Sequence, residues 1–160
     1  MNTIKQMPGD ARVWVYQSNT VLTDEQVTVI SQQGKDFVES WAAHGAALNA
    51  SFDILYNRFI IIAVDEKQAM ASGCSIDKSV AFIKAVEQEF QLQLLDRMQV
   101  AYRKDEAIEV CSLKEFEKMA NNGAVDAATI VFNNMITTKE GFDSAWEIPL
   151  KESWQNRVLG

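Results

Sequence analysis

Apolar and polar side chains alternate over residues 11–17, the pattern of a half-buried β-strand rich in valine and aromatic residues. Thr23 and Gln26 then have the spacing of a capping box, which predicts that a helix begins at the next residue. The apolar positions that follow recur every three or four residues as far as Gly45, where a helix stop is expected. The first two predicted elements are therefore a strand over 11–17 and an amphipathic helix over 24–43.

Three further strands and a second helix follow from the same kinds of pattern. Residues 51–56 alternate again, and residues 59–64 form an unbroken apolar run that is typical of a central strand covered on both faces. A helix with a single apolar stripe is predicted over 76–90, and another strand over 98–103. The resulting order β-α-β-β-α-β is that of the ferredoxin-like α+β sandwich, in which both helices cover one face of an antiparallel sheet.

The rest of the chain predicts a C-terminal β-α-β-α extension of this sandwich. Residues 107–111 suit a strand that pairs with the one before it, and a capped helix is expected over 113–121. A short strand at 130–132 and a helix that begins near Thr138 follow, and the segment 146–154 is expected to pack across the body by its two tryptophans. No repeat, linker or low-complexity stretch interrupts the 160 residues, so we expect a single domain.

Composition and charge narrow the classes of partner. The chain has 15 basic and 22 acidic residues, a net charge of −7, and no basic cluster. Such a surface repels phosphate backbones and anionic lipid, so we expect neither a nucleic-acid nor a membrane partner, whereas a small molecule or a protein partner stays open. The first ten residues lack the apolar core of a signal peptide, and no apolar run approaches the roughly 20 residues of a membrane span. A cytoplasmic location is therefore expected.

Cysteine and histidine are scarce, and this limits the chemistry. The chain contains only Cys74, Cys111 and His44 of these two types. Without an export signal the two cysteines are expected to be reduced thiols. They are too few for a zinc site of four cysteines or of two cysteines and two histidines, and no calcium-loop spacing occurs. Neither a metal nor a cofactor is predicted.

The segment 72–79, with sequence SGCSIDKS, is the first candidate site because it lies where a loop enters the second predicted helix. The candidate ligand-binding residues in it are Ser72, Gly73, Ser75, Asp77 and Lys78. Free backbone N–H groups and the positive end of the helix dipole suit an anion or a thiolate, so Cys74 is also a candidate nucleophile. The alternative is structural: Ser75 or Asp77 caps the helix, Gly73 makes a turn and Cys74 fills space.

Three residues outside that segment are further candidates. His44 is the only imidazole, so any imidazole-dependent mechanism of Cys74 must use it, but it also suits a capping role at a helix C-terminus. Asn133 and Asn134 follow a short apolar strand, and an amide that faces inward there needs hydrogen-bond partners. Those partners are either a ligand or the backbone of a neighbouring loop.

Five stretches of the sequence resemble a bacterial family of small uncharacterised proteins, whose matching segments run over nearly the whole chain. They are WAAHG (41–45), AVDE (63–66), SGCSIDKS (72–79), TIVFNN (129–134) and the ending around 146–157. Members are often labelled "ABC transporter ATPase", and the family transfers no catalytic residue to this chain. An ATPase of that class needs a Gly-x-x-x-x-Gly-Lys-Ser/Thr loop. Here only Gly34 precedes a lysine, and Val29 stands five positions before it, so we expect no ATP hydrolysis.

Two functions of different classes follow from the sequence. The first is a cytosolic binding or interaction module with a small-anion or small-ligand site near residues 72–79. The alternative is a thiol-dependent enzyme that uses Cys74 as nucleophile and His44 as base. The enzyme requires the sulfur and an imidazole nitrogen to lie within about 4 Å of each other in a pocket.

Overall fold

Helices and antiparallel strands alternate along the protein, which is therefore of the mixed α+β class. The computed structural model describes residues 3–160. The strands are β1 (Arg12–Gln17), β2 (Ala42–Ala43), β3 (Ala46–Ala47), β4 (Asn49–Leu55), β5 (Phe59–Asp65), β6 (Gln99–Lys104), β7 (Ala107–Ser112), β8 (Ile130–Phe132) and β9 (Glu147–Pro149). The α-helices are α1 (Asp24–Ser40), α2 (Gly73–Phe90), α3 (Leu113–Asn121) and α4 (Lys139–Ala145). Short 3-10 helices lie at Ile4–Gln6, Leu150–Glu152 and Trp154–Leu159.

The first sheet has the order β1-β5-β4, and both of its pairings are antiparallel. Residues 59–64 of β5 are all fully buried, because helices cover one face of the sheet and a second sheet covers the other. The prediction of a central strand covered on both faces is confirmed. β4 and β5 form a hairpin whose turn holds Tyr56 and Asn57 in the left-handed region, at φ 55° and 52°.

Both long helices pack on the same face of this sheet. Ile30 of α1 and Ile83 of α2 are fully buried in one cluster with Ile60 and Ile62 of β5. Helix α1 begins as predicted, since the Thr23 side chain accepts a hydrogen bond from the backbone of Gln26 in a capping box. The placement of both helices on one face of an antiparallel sheet is thus confirmed.

The second sheet has the order β7-β6-β8-β9, and it contains the strand that was expected to complete the first. β6 pairs along its whole length with β7 and at Tyr102 with β8. Its link to β1 is a side-chain hydrogen bond from Nε2 of Gln17 to the carbonyl oxygen of Gln99, at 3.4 Å. The expectation that residues 98–103 share a sheet with residues 11–17 is therefore wrong, and the four-stranded ferredoxin-like sheet is not confirmed.

Burial explains why the second sheet lies where it does. Val13, Val15, Phe59 and Ile61 point away from the helices, and a two-layer sandwich would leave them in water. The second sheet covers them with the aromatic ring of Phe132, among other residues, so that the two sheets enclose an apolar layer. The outer face of the second sheet is covered in turn by α3 and the C-terminal 3-10 helix. The layers thus run helix, sheet, sheet, helix.

Two helix boundaries differ from those predicted. Helix α1 ends at Ser40 rather than residue 43, because the chain turns at Trp41 into the β2–β3 hairpin. Helix α2 begins at Gly73 rather than residue 76, because Ser72 provides the cap. The extension follows the predicted β-α-β-α order and adds β9 from the segment that was expected to lie across the body.

Candidate functional site

The serines of segment 72–79 form a complete capping box at the start of α2. The Ser72 hydroxyl oxygen accepts from the backbone N–H of Ser75 at 3.1 Å, and the Ser75 hydroxyl oxygen accepts from the backbone N–H of Ser72 at 2.7 Å. The Ser75 hydroxyl donates to the Ser72 carbonyl oxygen at 2.8 Å. A serine therefore caps the helix, as the structural alternative expects, but it is Ser72 and not Ser75 or Asp77. The rest of that alternative is wrong, since Gly73 is the first residue of the helix and Cys74 is exposed.

The other residues of the segment are accessible from solvent. Gly73, Cys74, Asp77 and Lys78 are all exposed on the first turns of α2, whereas Ser75 is 1% exposed. The Cys74 thiol is thus open to reagents. Whether this turn holds an anion stays a prediction, since the two serines already serve the helix cap.

His44 lies in the turn of the β2–β3 hairpin and not at a helix end. It is exposed, and it adopts a left-handed backbone conformation with φ 51° beside Gly45 at φ 80°. The hairpin lies near the start of α2, because Nε1 of Trp41 donates a 2.8 Å hydrogen bond to the Ser75 carbonyl oxygen. In residues 3–160 no hydrogen bond joins the His44 imidazole to the Cys74 thiol. The pair required by the enzyme hypothesis is therefore not assembled by a direct bond.

Asn133 and Asn134 have different roles. The Asn133 side chain donates to the carbonyl oxygen of Ala145 at 3.3 Å and accepts from the N–H of Met135 at 3.2 Å, so it supports the local backbone. The Asn134 side chain joins two distant elements. It donates to Oε1 of Gln17 and accepts from Nε1 of Trp146, both at 2.9 Å. Asn134 also lines a cleft.

Two adjoining cavities follow the outer edge of β1, the edge that does not pair with β5. Their volumes are about 50 and 180 Å³. The residues that line both of them are Val15, Tyr16, Arg97, Asn134 and Met135. We call the two cavities together the β1-edge cleft. Neither of them is lined by a residue of segment 72–79 or by His44.

Hydrogen bonds to neighbouring segments are made near both ends of the outer edge of β1, whereas the middle of that edge faces the cleft. At one end the Val13 N–H donates to the carbonyl oxygen of Thr137 at 3.0 Å. At the other end the Gln17 side chain reaches the carbonyl of Gln99. Since the N–H groups of alternate residues in a strand point the same way, the N–H of Val15 points into the cleft. A ligand there has backbone as well as side-chain partners within reach.

The cleft also contains a buried acceptor that the protein leaves unpaired. Gln155 is 2% exposed, and its Oε1 has no hydrogen-bond donor in the described part of the chain. A buried acceptor in this state costs about 1–3 kcal/mol, so a donor supplied by a ligand would be favourable. Because the oxygen itself is buried, the Gln155 side chain has to turn toward the cleft to meet that donor. The other unpaired buried side-chain atom of residues 3–160, Oγ of Ser51, lines neither cavity.

The remaining walls of the cleft combine apolar surface with balanced charge. Trp154 and Met135 are 39% and 60% exposed and offer a ring and a flexible thioether to a ligand. Asp96 and Arg97 lie side by side on the surface and carry opposite charges. Arg12, which lines the second cavity, has an ion-pair partner in Glu66 at 3.8 Å. This arrangement suits a neutral ligand that has a flat apolar part and at least one N–H or O–H donor.

The sequence pointed to one residue of this cleft, Asn134, and missed the others. The cleft is formed by segments that are far apart along the chain, at 12–17, 94–99, 132–137 and 154–155. No local pattern brings them together. A polar glutamine beside Trp154 in the terminal segment was the one available signal, because a glutamine that packs inward needs partners.

Metal ligands do not cluster in the structure. Among residues 3–160 there is no group of three or more histidine, cysteine, aspartate or glutamate side chains arranged to hold an ion. No helix of the described residues combines the length and the apolar content needed to cross a membrane.

Comparison of the sequence with protein-family models and with curated proteins, and of the fold with solved structures, found no match.

Proposed function

We propose that this protein is a binding module for a small neutral polar ligand, which occupies the β1-edge cleft. The observation that carries the proposal is the buried and unpaired Oε1 of Gln155 in the wall of the cleft. A donor from the ligand would satisfy this atom, and the exposed ring of Trp154 would cover the ligand's flat face. Ligand pockets of this kind combine apolar walls with a few polar groups that fix orientation.

A binding role is favoured over the thiol enzyme because the cleft contains neither thiol nor imidazole. Cys74 and His44 lie outside its lining, so chemistry with them would need a different site. The small-anion site at 72–79 stays a separate proposal, which the exposure of Gly73, Cys74 and Lys78 on the first turns of α2 supports. A cytoplasmic setting and the relation to the small bacterial family remain proposals as well.

The relation to the ferredoxin-like sandwich is also proposed. It is supported by the sheet β1-β5-β4 with α1 and α2 on one face. With β6 in the second sheet, the outer edge of β1 is left without a full strand partner, and the cleft lies along that edge.

The proposal is tested with fragment-sized primary amides, of which nicotinamide is the first probe. Its amide N–H can donate to Gln155, and its ring can stack on Trp154. We expect saturable changes in the amide resonances of residues 15–17, 134–135 and 154–155 in a ¹⁵N–¹H correlation spectrum. Gln155→Leu removes the unpaired acceptor, so this variant should lose binding while its stability stays equal or rises.

The matched control is Gln88→Leu, which makes the same change at an exposed position of α2 outside the cleft. It should bind nicotinamide as the unchanged protein does. Equal binding by Gln155→Leu and the unchanged protein would remove the basis of the proposal.

A further inference from the structure

A second, independent cavity lies at the turn of the β4–β5 hairpin, and a buried arginine lines it. The cavity has a volume of about 520 Å³ and is open to solvent. The residues on which its chemistry depends are Val21, Tyr56, Arg58, Arg103, Glu106 and Ile108. We call it the Arg58 pocket. None of these residues lines the β1-edge cleft.

Arg58 is buried without a counter-ion. It is 7% exposed, and no carboxylate lies within ion-pair distance of its guanidinium in residues 3–160. Within the described part of the chain, the guanidinium makes one hydrogen bond, from a terminal nitrogen to the carbonyl oxygen of Ser18 at 3.3 Å. A guanidinium has five N–H donors, and no Arg58 nitrogen is among the buried unpaired atoms of residues 3–160, so its remaining donors are open to solvent or to a ligand.

The electrostatic setting of Arg58 agrees with this geometry. Burial lowers the pKa of Arg58, while the more distant charge of Glu109 acts in the opposite direction. A buried cation without a partner is unfavourable, and an anion that enters its pocket relieves that cost.

Arg103 adds a second cation, which is held in place from one side. Its Nε donates to Oε1 of Glu147 at 2.5 Å, and the other carboxylate oxygen of Glu147 accepts from the Tyr56 hydroxyl at 3.0 Å. The hydrogen bond to Glu147 raises the pKa of Arg103, which therefore stays charged. The guanidinium carbon also lies 5.1 Å from the centre of the Tyr56 ring. Arg103 thereby presents its positive charge at the wall of the pocket.

The walls of the pocket are apolar as well as charged. Val21 is 59% exposed and Tyr56 is 51% exposed, which is unusual for side chains of this size, and Ile108 is half-buried beside them. An inorganic ion would leave this surface uncovered. A ligand with an apolar body and one anionic group would cover it.

We propose that the Arg58 pocket binds small carboxylic acids with an apolar body, whose carboxylate is held by Arg58 with Arg103 beside it. The planar fork of an arginine matches a carboxylate in a bidentate arrangement. Glu106 carries the opposing charge at the edge of the pocket, forms no ion pair in the described residues, and weakens the attraction. This site is independent of the β1-edge cleft, and either can fail without the other.

Benzoate is the probe, and benzamide is the neutral molecule of the same shape. We expect benzoate to produce saturable shifts in the amide resonances of residues 56–58 and 103–108, with Kd of about 1 mM, the range of a weak single-site ligand. Benzamide should leave these resonances unchanged, because it lacks the charge.

Two variants that each remove one positive charge distinguish binding by the Arg58 pocket from a general effect of the protein's net charge. Arg58→Gln should weaken benzoate binding about tenfold or more, whereas Arg97→Gln should leave it within about twofold. Glu106→Gln removes the repulsion and should tighten binding about threefold. If Arg58→Gln does not fold, Arg58→Lys keeps the charge without the fork and should still bind more weakly.

Three results would each overturn the proposal. One is the absence of saturable shifts at these resonances up to about 20 mM benzoate, far above the expected Kd. Another is equal binding of benzamide, which would mean an apolar surface without a role for charge. The third is an equal loss in the Arg58 and Arg97 variants, which would show that only net charge matters.

Discussion

The backbone of Gly34 in α1 lies directly against the aromatic ring of Phe52 in β4, so closely that a β-carbon at residue 34 would overlap the ring. Phe52 is itself 3% exposed, and its ring makes an edge contact with Phe82 of α2 at 5.9 Å between centroids. The ring therefore has little room to move. Helix α1 can approach the first sheet this closely because Gly34 has no side chain.

Gly34→Ala should for this reason destabilise the protein although alanine is the better helix former. Overpacking in a core costs about 1–3 kcal/mol or more, and helix propensity returns about 1 kcal/mol. We expect a net loss of about 2 kcal/mol in the free energy of unfolding, measured by urea denaturation. Gly73→Ala is the control, because its β-carbon meets no atom within 4 Å. Unchanged stability of Gly34→Ala would show that the Phe52 ring yields.

The two thiols should react with alkylating reagents at very different rates. Cys74 is exposed, whereas Cys111 is half-buried, and burial, with a smaller effect of Glu115, raises the pKa of Cys111 to about 11. At pH 8 only about one Cys111 in a thousand is then a thiolate, the reactive form. Iodoacetamide should modify Cys74 first, as followed by mass spectrometry of peptides.

The pH dependence of this reaction provides its control. Since a raised pKa keeps Cys111 protonated until the pH approaches that value, its alkylation rate should keep rising between pH 8 and 10. A Cys74→Ser variant should lose the fast phase alone. Modification of Cys111 at the rate of Cys74 at pH 8 would contradict the burial of Cys111.

Ser72→Ala should remove the cap of α2 and cost about 1 kcal/mol of stability, since the N–H of Ser75 loses its acceptor. Ser72→Asp keeps an acceptor at the cap and should restore most of the loss. Both are measured by thermal denaturation. The aspartate also distinguishes the two interpretations of segment 72–79, because it would repel an anion bound there. If phosphate stabilises the unchanged protein and Ser72→Asp alike, the segment does not hold the anion.

Purified protein should not hydrolyse ATP. Gly34 and Lys35 are residues of α1, and Gly34 faces Phe52 rather than a phosphate. The pattern of glycines that would place backbone N–H groups around phosphates is also missing from the sequence. A phosphate-release assay with Mg²⁺ measures this directly. Activity that co-purifies with the protein and is lost in a point variant would contradict it.

Local patterns predicted the helices and strands well, because each depends on neighbours in sequence. The Thr23 cap of α1 and the buried run 59–64 are both such cases. The pairing of β6 with β7 was also predicted correctly. The sheet to which β6 belongs could not be predicted in this way, since that depends on which apolar face still needs cover. The apolar run of β5 did predict that both faces of this strand are buried. It did not say that a second sheet would be the cover.

The same difference between local patterns and long-range contacts applies to the candidate sites. The capping role of segment 72–79 is local, and the sequence pattern indicates it. A local pattern also places His44 at a helix end, whereas the structure has it in a hairpin turn. The β1-edge cleft and the Arg58 pocket both depend on contacts between distant segments. Gln155 and Arg58 become candidate binding residues only once the burial of their side chains in the fold is known.

Each sheet is built from one continuous stretch of the chain, and this determines the order in which its parts emerge from the ribosome. The sheet β1-β5-β4 and its two helices are complete by residue 90, while the strands of the second sheet begin at residue 99. A nascent chain of that length carries Val13, Val15 and Ile61 on an uncovered face. Until β6 to β9 have been synthesised, these apolar side chains lack the cover of the second sheet, and exposed apolar surface of this kind promotes aggregation of a nascent chain.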